Sequence, residues 1–151
     1  MKTATVEYRV PYADTDQMGF VYYANYLEFF ERGRNELMRS MGFTYKELEA
    51  MGIGLPVVEA SVKYIKPARY DDLLCIEASC DWSKGIRLQV NCRVLCGEQL
   101  LAQGFTIHAF MDLNTGKPVR PCREFVEKMG SGSSLCCSES VGAVHLGIQP
   151  R

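Results

Sequence analysis

One helix sets the terms on which the rest of this chain can fold. Between Tyr23 and Met41, the residues Tyr26, Phe29, Phe30, Gly33, Leu37 and Met41 recur at three- and four-residue steps and form a single apolar stripe. Gly33 lies on that stripe, so another backbone can approach the helix closely there, as a helix cradled by a sheet requires. Glu28 precedes Arg32 by four and Glu31 precedes Arg34 by three, spacings that favour ion pairs on an exposed face. Gly42 supplies the stop.

The remaining segments must cover the stripe. Thr44 and Glu47 form a capping-box signature for a short helix ending near Gly52. From Pro56 to Asp112 the period changes from helix to strand. Four strands are expected: Pro56 to Lys66, Asp72 to Trp82, Ile86 to Cys96 and Leu100 to Asp112, with turns at Pro67–Arg69, Ser83–Gly85 and Gly97–Glu98. A fifth strand, Thr3 to Val10, precedes the helix, with Val6, Tyr8 and Val10 on one face. Asn114 to Pro118 has strong turn chemistry, and a last short helix is expected from Pro121 to Met129, with Pro121 in its first turn and Gly130 as its stop. One long apolar helix beside five antiparallel strands describes an α+β domain with the helix on the concave face of the sheet. Residues 1–130 are expected to form this domain. The Ser- and Gly-rich segment 131–151 reads as a flexible or weakly docked tail.

Composition narrows the function. The 151 residues, 47% hydrophobic and 23% charged, can bury one core without staples, and a formal net charge of −1 gives no hint of a nucleic-acid partner. No apolar run approaches the ~18 residues needed to span a membrane, and the N-terminus lacks a signal-peptide core, so the cytoplasm is the expected location. The seven cysteines form no spaced framework and read as reduced buried thiols. Cys92 and Cys96 would share a strand face about 13 Å apart, too far for one metal ion, while Cys75 and Cys80 would face opposite ways. No metal-ligand spacing, phosphate loop, dinucleotide fingerprint or Gly-x-Ser-x-Gly elbow is present, and no cofactor is called for.

The chemistry concentrates ahead of the helix, in the loop from Tyr12 to Gly19. Asp14 and Asp16 are two residues apart and, in an extended stretch, share a side. Aspartates in such loops commonly satisfy backbone N–H groups. A carboxylate beside a helix N-terminus is also placed to attack a carbonyl polarised by free backbone N–H groups. Asn25, with Glu28 three residues on, looks like the helix cap, yet Tyr22 or Tyr23 could already begin the first turn. His108 reads as a packed strand residue and His145 as a tail residue. Lys63, Lys66, Arg69, Lys84 and Arg87 gather near turns, either as solvated charge or as contacts for a nucleotide phosphate.

The run Tyr12-x-Asp14-Thr15-Asp16-x-x-Gly19-x-Val21-Tyr22-Tyr23-x-Asn25-Tyr26 resembles the signature of the 4-hydroxybenzoyl-CoA thioesterase family, most closely its acyl-CoA thioesterase branch associated with the Tol-Pal system. Tyr64-x-x-Pro67-Ala68-Arg69-Tyr70-Asp71-Asp72 and the segment Asp112 to Pro121 also match, so the likeness runs from about Val6 to Glu127. The resemblance implies a hotdog fold, with a long helix wrapped by the sheet. It also implies homodimers joined edge to edge, often paired again into homotetramers, with sites at the subunit interface. It places the catalytic carboxylate at Asp16 and the carbonyl-polarising backbone N–H near Tyr23, which favours the earlier helix start. Tyr12, Gly19, Val21 and Tyr22 would then line the substrate; among the basic residues near turns, Lys84, Arg87 and Arg69 are the favoured contacts for CoA. The Tol-Pal-associated branch commonly has histidine where this chain has Tyr23, whereas some aryl-CoA thioesterases have tyrosine. A backbone donor survives that change.

The expected reaction is hydrolysis of an acyl- or aroyl-CoA thioester, with Asp16 as nucleophile or as general base for water. An ordinary aspartate is too acidic to be a good base at neutral pH, which favours the nucleophilic route. Tyr12, Phe20, Tyr22 and Tyr23 permit an aromatic acyl group without demanding one. Two rivals act or bind differently: a hydratase or dehydratase, which would want an Asp/His pair, and a non-catalytic acyl-CoA-binding module.

Overall fold

The computed structural model describes residues 1–81 and 85–130; the expected strand end at Trp82, the turn positions Ser83 and Lys84, and the 131–151 segment with His145 therefore lie outside the described residues. Five strands form one antiparallel sheet: β1 (Lys2–Arg9), β3 (Val57–Tyr64), β4 (Leu73–Cys80), β5 (Arg87–Cys96) and β6 (Gln99–Ala109), in the order β1-β4-β5-β6-β3. A two-residue strand β2 (Ile53–Gly54) pairs with β7 (Met111–Asp112) to one side. The expected strands all form, except that Phe110 separates β6 from β7, so the run to Asp112 is not one strand. Register shifts at Val57/Glu59 and Val94/Leu95 mark bulges, which bend strands and increase their twist.

Helix α1 (Asn25–Ser40) lies across the inner face and packs against β1, β4, β5 and β6, the hotdog arrangement. Tyr26, Phe29, Phe30, Leu37 and Met38 are each at most 2% exposed. They meet the inward residues of the sheet, Leu74, Ile76, Ala78, Leu88, Val90, Cys92 and Val94. Helix and sheet approach closely at Gly33: a Cβ there would stand 3.0 Å from Ile76 Cγ2 and 3.2 Å from Ala78 Cβ. The stripe also holds a residue that its charge had assigned outward. Arg34, expected to pair with Glu31 on the exposed face, is buried, and its Nε–H donates to the Tyr45 hydroxyl at 2.7 Å. The i, i+4, i+8 positions Tyr26, Phe30 and Arg34 fall on one helix face, so period outweighs polarity here.

Helix α2 (Tyr45–Ala50) carries the expected capping box, with Glu47 N–H on Thr44 Oγ1 at 3.1 Å and Thr44 N–H on Glu47 Oε2 at 2.8 Å. Helix α3 (Arg123–Gly130) starts later than expected, with Pro121 ahead of it rather than in its first turn, and Gly130 is its last residue, not a stop beyond it. Phe125 anchors it between Phe43 and Phe110, at centroid distances of 5.8 and 4.9 Å. Lys128 Nζ reaches the Gly42 carbonyl at 2.9 Å, adding a cation where α1 ends. Among the described residues no helix is long and apolar enough to cross a membrane.

Candidate active site

The acidic loop is tied down at both ends. Val10 N–H donates to the Asp72 carbonyl at 3.0 Å and Asp71 N–H to the Val10 carbonyl at 2.9 Å. Pro11 then leads into a single 3₁₀ turn, Tyr12–Asp14. The chain folds back on itself, with Thr15 facing Val21 and Phe20 facing Arg69 as antiparallel bridges. Gly19, at φ +78°, makes the reversal in the left-handed region that glycine adopts without strain.

Asp14 and Asp16 have different surroundings. The Asp14 carboxylate accepts the Tyr8 hydroxyl at 2.6 Å, and its carbonyl takes Tyr22 N–H at 2.8 Å and Asn25 Nδ2 at 3.1 Å. Asp14 is thus the clamp between strand, loop and helix. The half-buried Asp16 uses one carboxylate oxygen for the loop: Oδ1 accepts Met18 N–H at 2.9 Å and Phe20 N–H at 3.2 Å. Oδ2 has no hydrogen-bond partner among the described residues. The turn reading is met by Oδ1 alone, and Oδ2 is left over. The fixed oxygen orients the free one.

The helix start is a staggered entry. Asn25, Tyr26 and Leu27 donate to the carbonyls of Tyr22, Tyr23 and Ala24 at 2.9, 3.3 and 3.2 Å, so tight turns begin at Tyr22 although α1 proper begins at Asn25. Asn25 is not the cap. Ala24 holds that position without a side-chain bond, and the Asn25 side chain serves the Asp14 carbonyl instead. The N–H groups of Tyr23 and Ala24 donate to no described residue. Tyr23 and Ala24 thus leave two adjacent N–H groups without described partners at the positive end of a 16-residue helix.

The aromatic run divides by side. Tyr22 and Tyr23 are exposed, with their rings tilted at 48° and centroids 4.6 Å apart; the Tyr22 phenol is held above its usual pKa by its hydrogen bond to Tyr23, with the charge of Asp16 adding to the shift. Val21 is 4% exposed, so its side chain belongs to the core while its N–H, on the Ala68 carbonyl at 2.8 Å, sets where Tyr22 begins. Tyr12 is exposed and meets Tyr70 edge-on at 5.8 Å. Tyr64, not foreseen from the sequence, donates its hydroxyl to the Tyr23 carbonyl at 2.8 Å and packs edge-on against Tyr26 at 5.1 Å. Its place beside Pro67 and Ala68 in the family-like segment is the signal that could have found it.

The basic candidates separate. Arg69 lies over the Phe20 ring at 4.8 Å, beside the loop. Arg87 pairs with Ala109, at the sheet end opposite to the one where Arg9 meets Leu73 and the loop departs. Within one chain the structure does not bring Arg87 to Asp16.

His108 also sits at that far end, fully buried. Its Nδ1 lies 3.0 Å from the Leu55 carbonyl and its Nε2 2.9 Å from Thr106 Oγ1. A carbonyl only accepts, so Nδ1 carries the proton and Nε2 accepts from the threonine hydroxyl. Burial pushes its pKa down to about 4, against the Leu55 bond, with Arg34 adding to the fall. Cys92, deep under α1, is pushed up to about 12 by burial, an unreactive thiol at neutral pH. Cys80 and Cys92 face the core, and Cys75 is on the other side from Cys80, as expected. Among the described residues no three His, Cys, Asp or Glu side chains are grouped to hold a metal ion.

Comparison with known proteins shows the family. The family profile described as the Thioesterase-like superfamily matches residues 10–129. The acyl-CoA thioesterase YbgC of Haemophilus influenzae is 37% identical over 112 residues, covering 74% of this chain and 82% of that protein. A DHNA-CoA thioesterase from Staphylococcus aureus superposes with a TM-score of 0.75 at 28% identity, covering 80% of this chain and 81% of that one. Slr0204, a 1,4-dihydroxy-2-naphthoyl-CoA thioesterase from Synechocystis, superposes with a TM-score of 0.77 at 25% identity, covering 84% and 95%.

Proposed function

We propose, from the premise that this chain belongs to the Thioesterase-like superfamily, that it is a thioester hydrolase converting an acyl- or aroyl-CoA to the free acid and CoA. The observation that carries the reading is the pairing of a half-committed carboxylate with two free helix-start donors. The thioester carbonyl sits on the Tyr23 and Ala24 N–H groups, where charge develops as the carbonyl carbon becomes tetrahedral; losing one such donor typically costs ~10²–10³ in rate. Asp16 Oδ2 attacks that carbon and expels the CoA thiolate, leaving a mixed anhydride that water opens to the acid and the restored carboxylate. As general base, the same oxygen would instead take a proton from the attacking water. Single-turnover hydrolysis in ¹⁸O-labelled water separates the routes, since only the anhydride route can leave label on Asp16.

The catalytic unit is residues 1–130, and its working form is a homodimer or a pair of dimers. What supports this is β3, an edge strand whose residues are mostly exposed; Val57, Val58 and Tyr64 are 50%, 51% and 48% exposed. Such an edge is open to pairing with a second copy. Antiparallel pairing of two β3 strands about a two-fold axis turns the second sheet end for end. The partner subunit's Arg87 would then lie at the sheet end where this chain carries Asp16 and Arg69. CoA phosphates would be held across the interface, by Arg69 of one subunit and Arg87, with Lys84, of the other. Tyr12, Gly19 and Tyr22 line the acyl approach, and Val21 acts through its backbone. The cytoplasm is the proposed location, on the free thiols of Cys75, Cys92, Cys96 and Cys122.

The deciding experiment is a thiol-release assay on a panel of acyl- and aroyl-CoA esters. Release of CoA with formation of the acid supports hydrolysis. Binding without thiol release would make the chain a binding module, and a change in the acyl chain with the thioester intact would make it a hydratase.

A further inference from the structure

The second unusual group in the molecule is Arg34. It is 9% exposed and carries a full charge among the core residues of α1. One of its five N–H donors, Nε–H, is satisfied by the Tyr45 hydroxyl, whose ring lies 5.6 Å from the guanidinium carbon. The other four, on Nη1 and Nη2, have neither a hydrogen-bond acceptor nor a carboxylate within ion-pair reach among the described residues. A buried guanidinium in that condition bears a desolvation cost of several kcal/mol, offset only in part by the Tyr45 hydroxyl and ring. Its field is felt by His108 and Cys92, neither of which is an anion in the folded chain at neutral pH.

Arg34 lines a cavity of about 340 Å³ between α1 and α2. Asn35, Thr44 and Tyr45 share its walls with Arg34, and all three are half-buried. The mouth is charged and exposed: Arg39 and Lys46 against Glu31 and Glu49. Thr44 is committed to the capping box, and Glu36 to Arg39 at 3.0 Å, so neither relieves Arg34. The volume is several times the ~30 Å³ share of one water. The open fork of a guanidinium matches two oxygens of a planar or tetrahedral oxyanion.

We propose that the α1–α2 cavity is a binding site for a small oxyanion, a carboxylate or a phosphate group, seated on the Nη edge of Arg34 and aided at the mouth by Lys46. It is separate from the thioester site: Arg34 lies nine residues along α1 from Asn25, about 13 Å at ~1.5 Å per residue. Its ligand would thus be a second, acidic small molecule, and its occupancy would remove the charge imbalance at the middle of the helix.

The test is a ¹H–¹⁵N NMR titration of the full chain with sodium phosphate and, separately, sodium acetate, with sodium chloride holding ionic strength constant. One anion is expected to move the Arg34 side-chain resonances and the Tyr45 and Lys46 amides saturably; the one that saturates at lower concentration identifies a phosphate or a carboxylate ligand. Arg34→Gln should weaken that binding at least ~10-fold, and Lys46→Ala, at an exposed position, by ~2- to 3-fold. Linear, non-saturating shifts with both anions, or a response kept in Arg34→Gln, would overturn the proposal. If Arg34→Gln does not fold, the wild-type Arg34 resonances and Lys46→Ala decide. Since the readout is binding and not thiol release, failure here leaves the hydrolase reading untouched, and the reverse.

Discussion

Asp16 and Phe20 hold each other twice: Asp16 N–H donates to the Phe20 carbonyl at 2.8 Å, and Phe20 N–H donates to Asp16 Oδ1 at 3.2 Å. The carboxylate proposed to react is therefore also the staple of its own loop. Substitutions at this position act on chemistry and on loop order separately, according to whether they keep an acceptor at Oδ1.

Asp16→Asn keeps that acceptor and removes the charge. It should fold with a melting temperature near that of wild type and lose turnover by ~10³-fold or more, with substrate binding kept. Asp16→Ala loses both, so its melting temperature should also fall, reflecting about 1–2 kcal/mol of lost loop hydrogen bonds. Thiol release and thermal unfolding on both variants check this; an active Asp16→Asn would remove Asp16 from the mechanism.

Gly33 is fixed by the approach of the sheet. Gly33→Val would force two methyl groups toward Ile76 and Ala78, where a bare Cβ already stands at 3.0 and 3.2 Å. Overpacking of this kind should destabilise the fold by about 2 kcal/mol, lowering the melting temperature by roughly 4–8 °C. A variant as stable as wild type would mean that α1 can lift off the sheet without cost.

If CoA spans two copies of the chain, defects at Asp16 and Arg87 should complement. Arg87→Ala alone is expected to raise KM for CoA esters with kcat nearly kept. Asp16→Asn and Arg87→Ala chains, unfolded and refolded together in equal amounts, give hybrids in which one site has both residues intact. Random pairing about a two-fold axis then predicts about a quarter of wild-type activity at low substrate. No gain over the separately refolded variants would place Asp16 and Arg87 outside a shared site.

Most of the architecture was legible because burial and period agree. Tyr26, Phe29, Phe30 and Leu37 announce the helix face, and the alternation in β4 and β5 announces the sheet. The acidic loop was legible because its residue types are few and closely spaced. Arg34 defeats the charge-based expectation because its position on the stripe decides its burial. Asn25 was ambiguous because a cap residue and a cross-loop donor look alike in sequence: only the Asp14 carbonyl, brought back by Pro11 and Gly19, decides between them. Tyr64 could not be linked to Tyr23 by local reasoning, since 41 residues separate them and the contact depends on β3 lying beside β6.

Two buried groups set opposing pH dependences. His108, its pKa lowered from 6.5 to about 4, holds fewer protons folded than unfolded in that window, so its share of stability is lost as pH falls. Glu77, 5% exposed beside Arg93, is raised from 4.5 to about 7 by burial against the opposing pull of Arg93. Its folded form holds more protons than the unfolded chain between those values, so its contribution grows as pH falls. Between pH 7 and 4.5 each changes stability by roughly 2–3 kcal/mol, with opposite sign, and they nearly cancel. Glu77→Gln removes one side of that balance. Measured by urea unfolding at pH 7 and 4.5, it should lose about 2 kcal/mol more than wild type on acidification, whereas His108→Asn should lose less than wild type or gain. Three parallel pH dependences would show that neither group titrates between the folded and unfolded chain as its burial requires.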